Sequence, residues 1–163
     1  MADPKQAETP PPQEGGAQPG ASNEFLRGYN FRILIDGIGE GHFTECTGLT
    51  AEVAALRYRE GGAGPVVRRL AGPVSYGDVT LRYGLTTSLD VWNWFLDAMN
   101  GSPLRKNVSI QMTAPDGLTG VLRWNLEGCW PSKWCGAPLD ALGQTIAIES
   151  LTLVFESLSR DRQ

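Results

Sequence analysis

Val74–Gly101, VSYGDVTLRYGLTTSLDVWNWFLDAMNG, changes hydrophobic period in its middle. From Asp78 to Tyr83 the apolar Val79, Leu81 and Tyr83 alternate with Asp78, Thr80 and Arg82, the period-2 pattern of a strand with one buried face. Gly84 and the polar Thr86–Ser88 break that pattern. Ser88 is suited to cap a helix, because its hydroxyl can accept an orphan N–H of the first turn, and Asp90 suits the positive end of the helix dipole. Gly101 is placed to end the helix in the left-handed conformation. On a wheel of about 100° per residue, Leu89, Val91, Trp92, Phe95, Leu96, Ala98 and Met99 form an apolar arc. Asp90, Asn93, Asp97 and Asn100 take the other side, and Trp94 falls at the boundary. A helix lying on one sheet leaves that ring partly wet, so Trp94 is read as touching a second surface, either a loop of its own subunit or another copy.

Residues 1–24 consist almost entirely of Pro, Gly, Ala, Gln and acidic residues, a composition that builds no core and predicts an extended or disordered arm. The folded domain is expected over residues 25–158, with a polar, frayed tail at 159–163. Tyr29–Ile35 alternates as a strand, Asp36–Gly41 is a glycine-rich turn, and His42–Cys46 is read as the returning strand of a hairpin. The segment from Gly48 to Arg59 reads as a further strand, followed by a long glycine-rich loop, Glu60–Gly72, with a basic pair at Arg68 and Arg69. Beyond the helix, Asn107–Thr113 and Val121–Glu127 form a clear hairpin around Pro115-Asp116-Gly117, where Pro sets φ and Gly accepts a positive one. Cys129–Ala141 is read as a connector broken by two prolines, and Thr145–Leu158 as the last and longest strand. Six or seven strands and one helix predict an antiparallel sheet system folded on itself, with the helix on an outer face or end. Asn107, Ser109, Gln111 and Thr113, with Arg123, Asn125 and Glu127, and with Ser150 and Thr152, form orderly polar strand faces. These are either ordinary solvated sheet or the wall of an aqueous channel built from several copies.

The chain of 163 residues has room for one domain with a real core. A net charge of −4 without a basic stripe argues against duplex nucleic-acid recognition. No apolar run approaches the ~20 residues of a membrane span, and the opening lacks the regions of a signal peptide, so folding in the cytoplasm is expected. Three cysteines, an odd number, argue against a disulfide framework. The residues offer almost no catalytic chemistry. His42 is the one histidine, and no Gly-x-Ser-x-Gly elbow supplies a nucleophile. His42 with Cys46, Cys129 and Cys135 is an allowed zinc set but lacks the tight paired spacing of a zinc site. The Gly37–Gly41 string precedes a strand rather than a helix, which removes a dinucleotide reading. No catalytic residue, metal or cofactor is expected.

Tyr29-Asn30-Phe31-Arg32-Ile33, Cys46-Thr47-Gly48-Leu49, the run Tyr76–Leu85 leading to Trp92-x-Trp94, and Ile148-Glu149-Ser150-Leu151-Thr152-Leu153 together resemble the tail-tube proteins of contractile phages and phage-tail-like contractile injection systems. The likeness covers about Phe25 to Leu158. It implies a mainly β, non-enzymatic structural protein with two antiparallel sheets in a barrel-like body and one flanking helix, the fold shared with the type VI secretion tube protein. It further implies homo-oligomeric rings of six copies, assembled in the cytoplasm of the producing cell and stacked into a tube inside a sheath. Baseplate or hub proteins are the implied partners, cargo or DNA passes through the lumen, and no stable membrane insertion is implied. By matching position, Arg59, Glu60, Gly61, Gly62, Arg68 and Arg69 belong to an arm toward a neighbouring subunit or ring. Asp90, Trp94 and Asp97 face a neighbour or the sheath, and Asn107, Ser109, Gln111, Thr113, Arg123, Asn125, Ser150 and Thr152 line the lumen. The Pro-rich arm and the Cys/Trp-rich connector depart from the pattern, leaving open the repeating tube subunit or an initiator ring at the baseplate hub. A monomeric β-barrel that binds a small ligand is the competing class.

Overall fold

The computed structural model describes residues 26–41, 43–59, 61 and 66–162. The arm expected at 1–24 lies outside the described residues. Ten strands and one helix are present among them: β1 (Phe31–Ile35), β2 (Gly39–Gly41), β3 (Phe43–Thr47), β4 (Ala51–Tyr58), β5 (Arg68–Tyr76), β6 (Val79–Gly84), α1 (Asp90–Met99), β7 (Lys106–Thr113), β8 (Gly120–Cys135), β9 (Ile148–Val154) and β10 (Ser157–Arg162).

Strand β8 organises the body because it serves two layers. Its first half pairs β7 on one side and β10 on the other, from Leu122 to Glu127. Its second half, Trp130–Cys135, pairs β9. Between the halves Gly128 has a φ of 65°, a left-handed conformation that glycine adopts without steric cost. One layer therefore runs β2-β1-β7-β8-β10, and the other runs β8-β9-β6-β3, all antiparallel. The period-2 pattern sends Ile33, Ile35, Val108, Ile110 and Leu126 inward from the first layer to meet Val79, Leu81, Tyr83, Leu151 and Leu153 from the second. Barrel-like describes this body, although no ladder among the described residues closes it. The end strands β2 and β3 are not paired with each other.

Four sequence expectations are corrected. First, β3 does not return along β1; β1 pairs the short β2, and the chain then changes layer, so that β3 pairs β6. Second, Cys129–Cys135 is strand, not connector. Pro131 cannot donate to the ladder, and the pairing takes a register shift between Pro131 and Lys133 while its ring is fully buried. Third, Thr145–Leu158 is two elements, because at Phe155–Glu156 the chain crosses back to the first layer, where the Glu156 N–H donates to the Glu127 carbonyl. Fourth, the end of the chain does not fray through 162: β10 pairs β8 in register from Ser157↔Glu127 to Arg162↔Leu122.

The helix ends as its glycine predicts. Gly101, at φ 80°, donates to the Ala98 carbonyl and Ser102 to that of Asp97, the double bond of a Schellman motif. Its start is one residue off. Leu89 holds the cap position with no side-chain cap bond, while the Ser88 hydroxyl accepts the N–H of Asp90 and donates to its carboxylate at 2.7 Å. The helix rests on β8, with Trp92 edge-on to Trp134 at 4.8 Å.

Candidate functional site

Strands β4 and β5 form a two-stranded ribbon separate from the body sheet, and neither packs substantially against any other described element. The arm is thus longer and more ordered than the glycine-rich loop read from sequence. Its base is pinned by close approach. A Cβ at Gly48 (φ 85°) would run into the Asp78 carbonyl, one at Gly77 would run into the Thr50 hydroxyl, and the Gly77 N–H donates to the Thr50 carbonyl at 3.0 Å. Tyr76 lies on Phe155 with ring centroids 5.2 Å apart. A register shift after Val53 then re-aims the distal half.

In that distal half, Leu56 pairs Leu70 and Tyr58 pairs Arg68 on one face, while Ala55 pairs Ala71 and Arg57 pairs Arg69 on the other. Gly72 is enforced on the Leu56 face, since a Cβ there would come within 2.9 Å of the Leu56 side chain. Val53, Leu56, Tyr58, Leu70 and Val74 are all about half exposed or more. The structure also separates the basic pair of the sequence, placing Arg68 on the apolar face and Arg69 on the opposite one. Arg59 and Gly61 are exposed beyond the end of β4, and Glu60 and Gly62 lie outside the described residues.

The polar strand faces exist but belong to different layers. On the first layer, Ser109 sits between Asn125, whose Oδ1 accepts its hydroxyl at 3.1 Å, and Arg123, whose guanidinium donates to it at 2.6 Å. Asn125 donates onward to Asp161 at 2.7 Å. Gln111 stands opposite Arg123, and the Asn107 carboxamide accepts the Gly128 N–H. Ser109 and Thr113 are buried, whereas Gln111, Arg123 and Asn125 are half-buried and Asn107 is exposed. On the second layer Thr152 and Thr80 have hydroxyls 3.3 Å apart, and Ser150 stands opposite Arg82, which pairs with Glu45 at 3.0 Å. The shared core lies between the layers, so these two polar faces point away from each other rather than forming one surface. The missed contributor is β10, which brings Ser159 and Asp161 onto the first face. It was missed because a short run of Ser, Arg and Asp carries no apolar alternation.

On the helix, Asp90 and Asp97 are exposed. Trp94 meets a loop of its own subunit, the first of its two readings, and is not free to face another copy. It is 2% exposed, its indole N–H donates to the Leu104 carbonyl at 2.6 Å, and it belongs to the core. Wheel position alone mislocated it, because the large ring turns into the core and its one polar atom finds the Leu104 carbonyl there. Leu89 and Met99, placed on the apolar arc, are exposed instead.

The cysteines do not converge. Cys129 is buried, Cys46 half-buried and Cys135 exposed, and among the described residues no group of three or more His, Cys, Asp or Glu is arranged to hold a metal. His42 lies outside them. Burial pushes the Cys46 thiol up to about 11 and the Cys129 thiol up to about 12, the opposite of what a nucleophile or metal ligand needs. A cavity of about 280 Å³ opens between the layers, lined among others by Phe31, Cys46, Leu49, Met112 and Trp124. It falls just short of the ~300–1,000 Å³ of ordinary ligand pockets. No helix among the described residues is long and apolar enough to cross a membrane.

Comparison with known proteins bears on these surfaces. No curated protein sequence matches the chain. Among solved structures it resembles a chain of the sheath-tube complex of PVC, an extracellular contractile injection system, in its extended state, with a TM-score of 0.78 at 20% identity over 87% of this chain and 95% of that one. A chain of the anti-feeding prophage baseplate aligns with a TM-score of 0.68 at 24% identity, covering 90% and 97%. Hcp1 from Flavobacterium johnsoniae aligns at 0.53 and 13% identity, covering 85% and 97%. At such identities these likenesses establish the fold. The family model for the T4-like virus tail tube protein gp19 matches residues 27–159, which is nearly all of the folded body, and the chain accordingly belongs to that tail-tube family.

Proposed function

We propose that this chain is the repeating subunit of the inner tube of a contractile injection system, closing into six-membered rings that stack inside a sheath and meet a baseplate at one end. The observation that carries the reading is the β4–β5 ribbon. A two-stranded ribbon is at best marginally stable alone in water, and this one leaves Leu56, Leu70, Val53 and Val74 exposed without substantial packing on any other described element. Such an element is stabilised by a second copy. In stacked rings its Leu56/Leu70 face, with Arg68 at the border, lies on a subunit of the next ring, with Arg59 and Gly61 beyond the end of β4. Open edges at β3 and β10 suit sheet continuation between neighbours within a ring, which removes unpaired backbone groups. One of the two polar faces lines the lumen through which cargo or DNA passes. We favour the Ser109–Arg123–Asn125–Asp161 face, whose side chains are held in a network. Asp90 and Asp97 face a neighbour or the sheath. Assembly takes place in the cytoplasm of the producing cell, and the subunit has a structural role.

Replacing Leu56 and Leu70 by Asp tests this. Purified wild-type protein is expected to form rings and tubes under negative stain, and the variant to retain its circular dichroism spectrum while losing stacked tubes. A wild-type protein that stays monomeric at every concentration and binds a small molecule tightly would overturn the reading. A Leu56→Asp/Leu70→Asp protein with tubes of unchanged length would remove the ribbon from it. An initiator ring at the baseplate remains the second reading, favoured by the likeness to a baseplate chain; it predicts single rings without extended tubes.

A further inference from the structure

The face of the ribbon opposite Leu56 presents a different problem. Arg57 and Arg69 are directly opposed across the two strands, and like charges in that position destabilise a ribbon. Both are exposed, and neither makes an ion pair among the described residues. The nearest carboxylate along the described part of β4 is Glu52, five residues back and on the other face. A cross-strand arginine pair on an element that packs on no other described element calls for an anion, and guanidinium forks side by side match bidentate acceptors such as carboxylates.

We propose that the Arg57/Arg69 face is the docking surface for the acidic N-terminal segment of the same chain. Before Phe25 the sequence carries Asp3, Glu8, Glu14 and Glu24 against the single Lys5, so the segment and the ribbon face have opposite charge. Position and reach agree. Gly28 lines the same cavity as Leu49, two residues before β4 begins, so the segment leaves the body beside the ribbon's base. From Leu49 to Arg57 the strand advances about 26 Å at ~3.3 Å per residue. A chain extended at ~3.1 Å per residue takes Glu14 about 43 Å from Gly28, and Glu8 and Asp3 farther, whereas Glu24 stops near 12 Å. The three outer carboxylates can therefore reach the pair with slack. Tethering makes the encounter intramolecular, so contacts that are individually weak on an exposed surface can hold. Docking would relieve the repulsion between Arg57 and Arg69 and steady the ribbon while leaving its Leu56/Leu70 face open.

Hydrogen exchange read by mass spectrometry over residues 51–76 of the full-length protein, kept dilute and unassembled, tests this without requiring tubes to form. Neutralising the segment with Asp3→Asn, Glu8→Gln and Glu14→Gln is expected to speed ribbon exchange several-fold. In an Arg57→Gln/Arg69→Gln background the same three changes are expected to have no effect, the non-additivity of groups in direct contact. Unchanged exchange after neutralising the segment would overturn the proposal, as would equal acceleration in both backgrounds. The effect is expected to be the same at tenfold higher protein concentration; a concentration dependence would assign the segment to a second copy and overturn docking within one chain. Because the readout is on unassembled protein, failure of tube formation and failure of this contact are separate results.

Discussion

At Gly48 and Gly39 one backbone requirement has two different consequences. Both residues have a φ of 85°, a region that costs a side-chain-bearing residue roughly 1–2 kcal/mol. At Gly39 an added Cβ meets nothing, whereas at Gly48 it runs into the Asp78 carbonyl at the base of the ribbon. Gly48→Ala is therefore expected to lower the thermal midpoint well beyond Gly39→Ala, since the obstructing atom is backbone and cannot swing aside. Equal losses in a denaturation comparison would show that the close approach is not enforced. Such distinctions are invisible in sequence, where both are glycines near a turn. Trp94 gives the same lesson for a side chain. Its position on the wheel was readable, but its burial depends on the Leu104 carbonyl waiting ten residues on.

Among the elements, β10 departs furthest from expectation. It looks like a polar tail because one of its faces carries Ser159 and Asp161, and the other carries Leu158 and the exposed Arg160, which lies over the Trp124 ring at 5.4 Å. Alternation of that kind is apolar only at one position, so periodicity cannot detect it. Truncating the chain after Glu156 removes a whole ladder along β8 and uncovers Leu126, which is fully buried. The truncated protein is expected to unfold at a clearly lower urea concentration than wild type; an unchanged midpoint would mean that β10 adds nothing to the body. By contrast β6, α1 and the β7–β8 hairpin were legible, because their apolar spacing and their Gly101 and Gly117 stops are local signals, and both glycines do take positive φ.

For the whole molecule, core ionisation sets a pH limit. Tyr83 is pushed up to about 12, first by burial and then by its hydrogen bond and charge repulsion with Glu149, with a bond to Trp134 acting weakly the other way. A folded value above the ordinary ~10 of tyrosine means that the unfolded chain loses its proton first. Stability from this group is full below pH ~10 and is lost as the pH rises through the folded value of about 12. The half-buried Cys46 and the buried Cys129 thiols act in the same direction from pH ~9 upward. Urea midpoints measured from pH 8 to 11 are expected to fall in wild type and to fall less steeply in Tyr83→Phe; parallel curves would exclude Tyr83 as a contributor. By itself the sequence determined which residues face inward along most strands, where the helix lies, and the tail-tube resemblance, because alternation, helix stops and motif order are written in neighbouring residues. Only the tertiary structure decided that β8 serves two layers, that the polar faces diverge, that Trp94 is internal, and that Val74, the first residue of Val74–Gly101, belongs to a ribbon standing off the body. Those outcomes depend on contacts between residues far apart in the chain, and no local pattern encodes which distant partner a strand will meet.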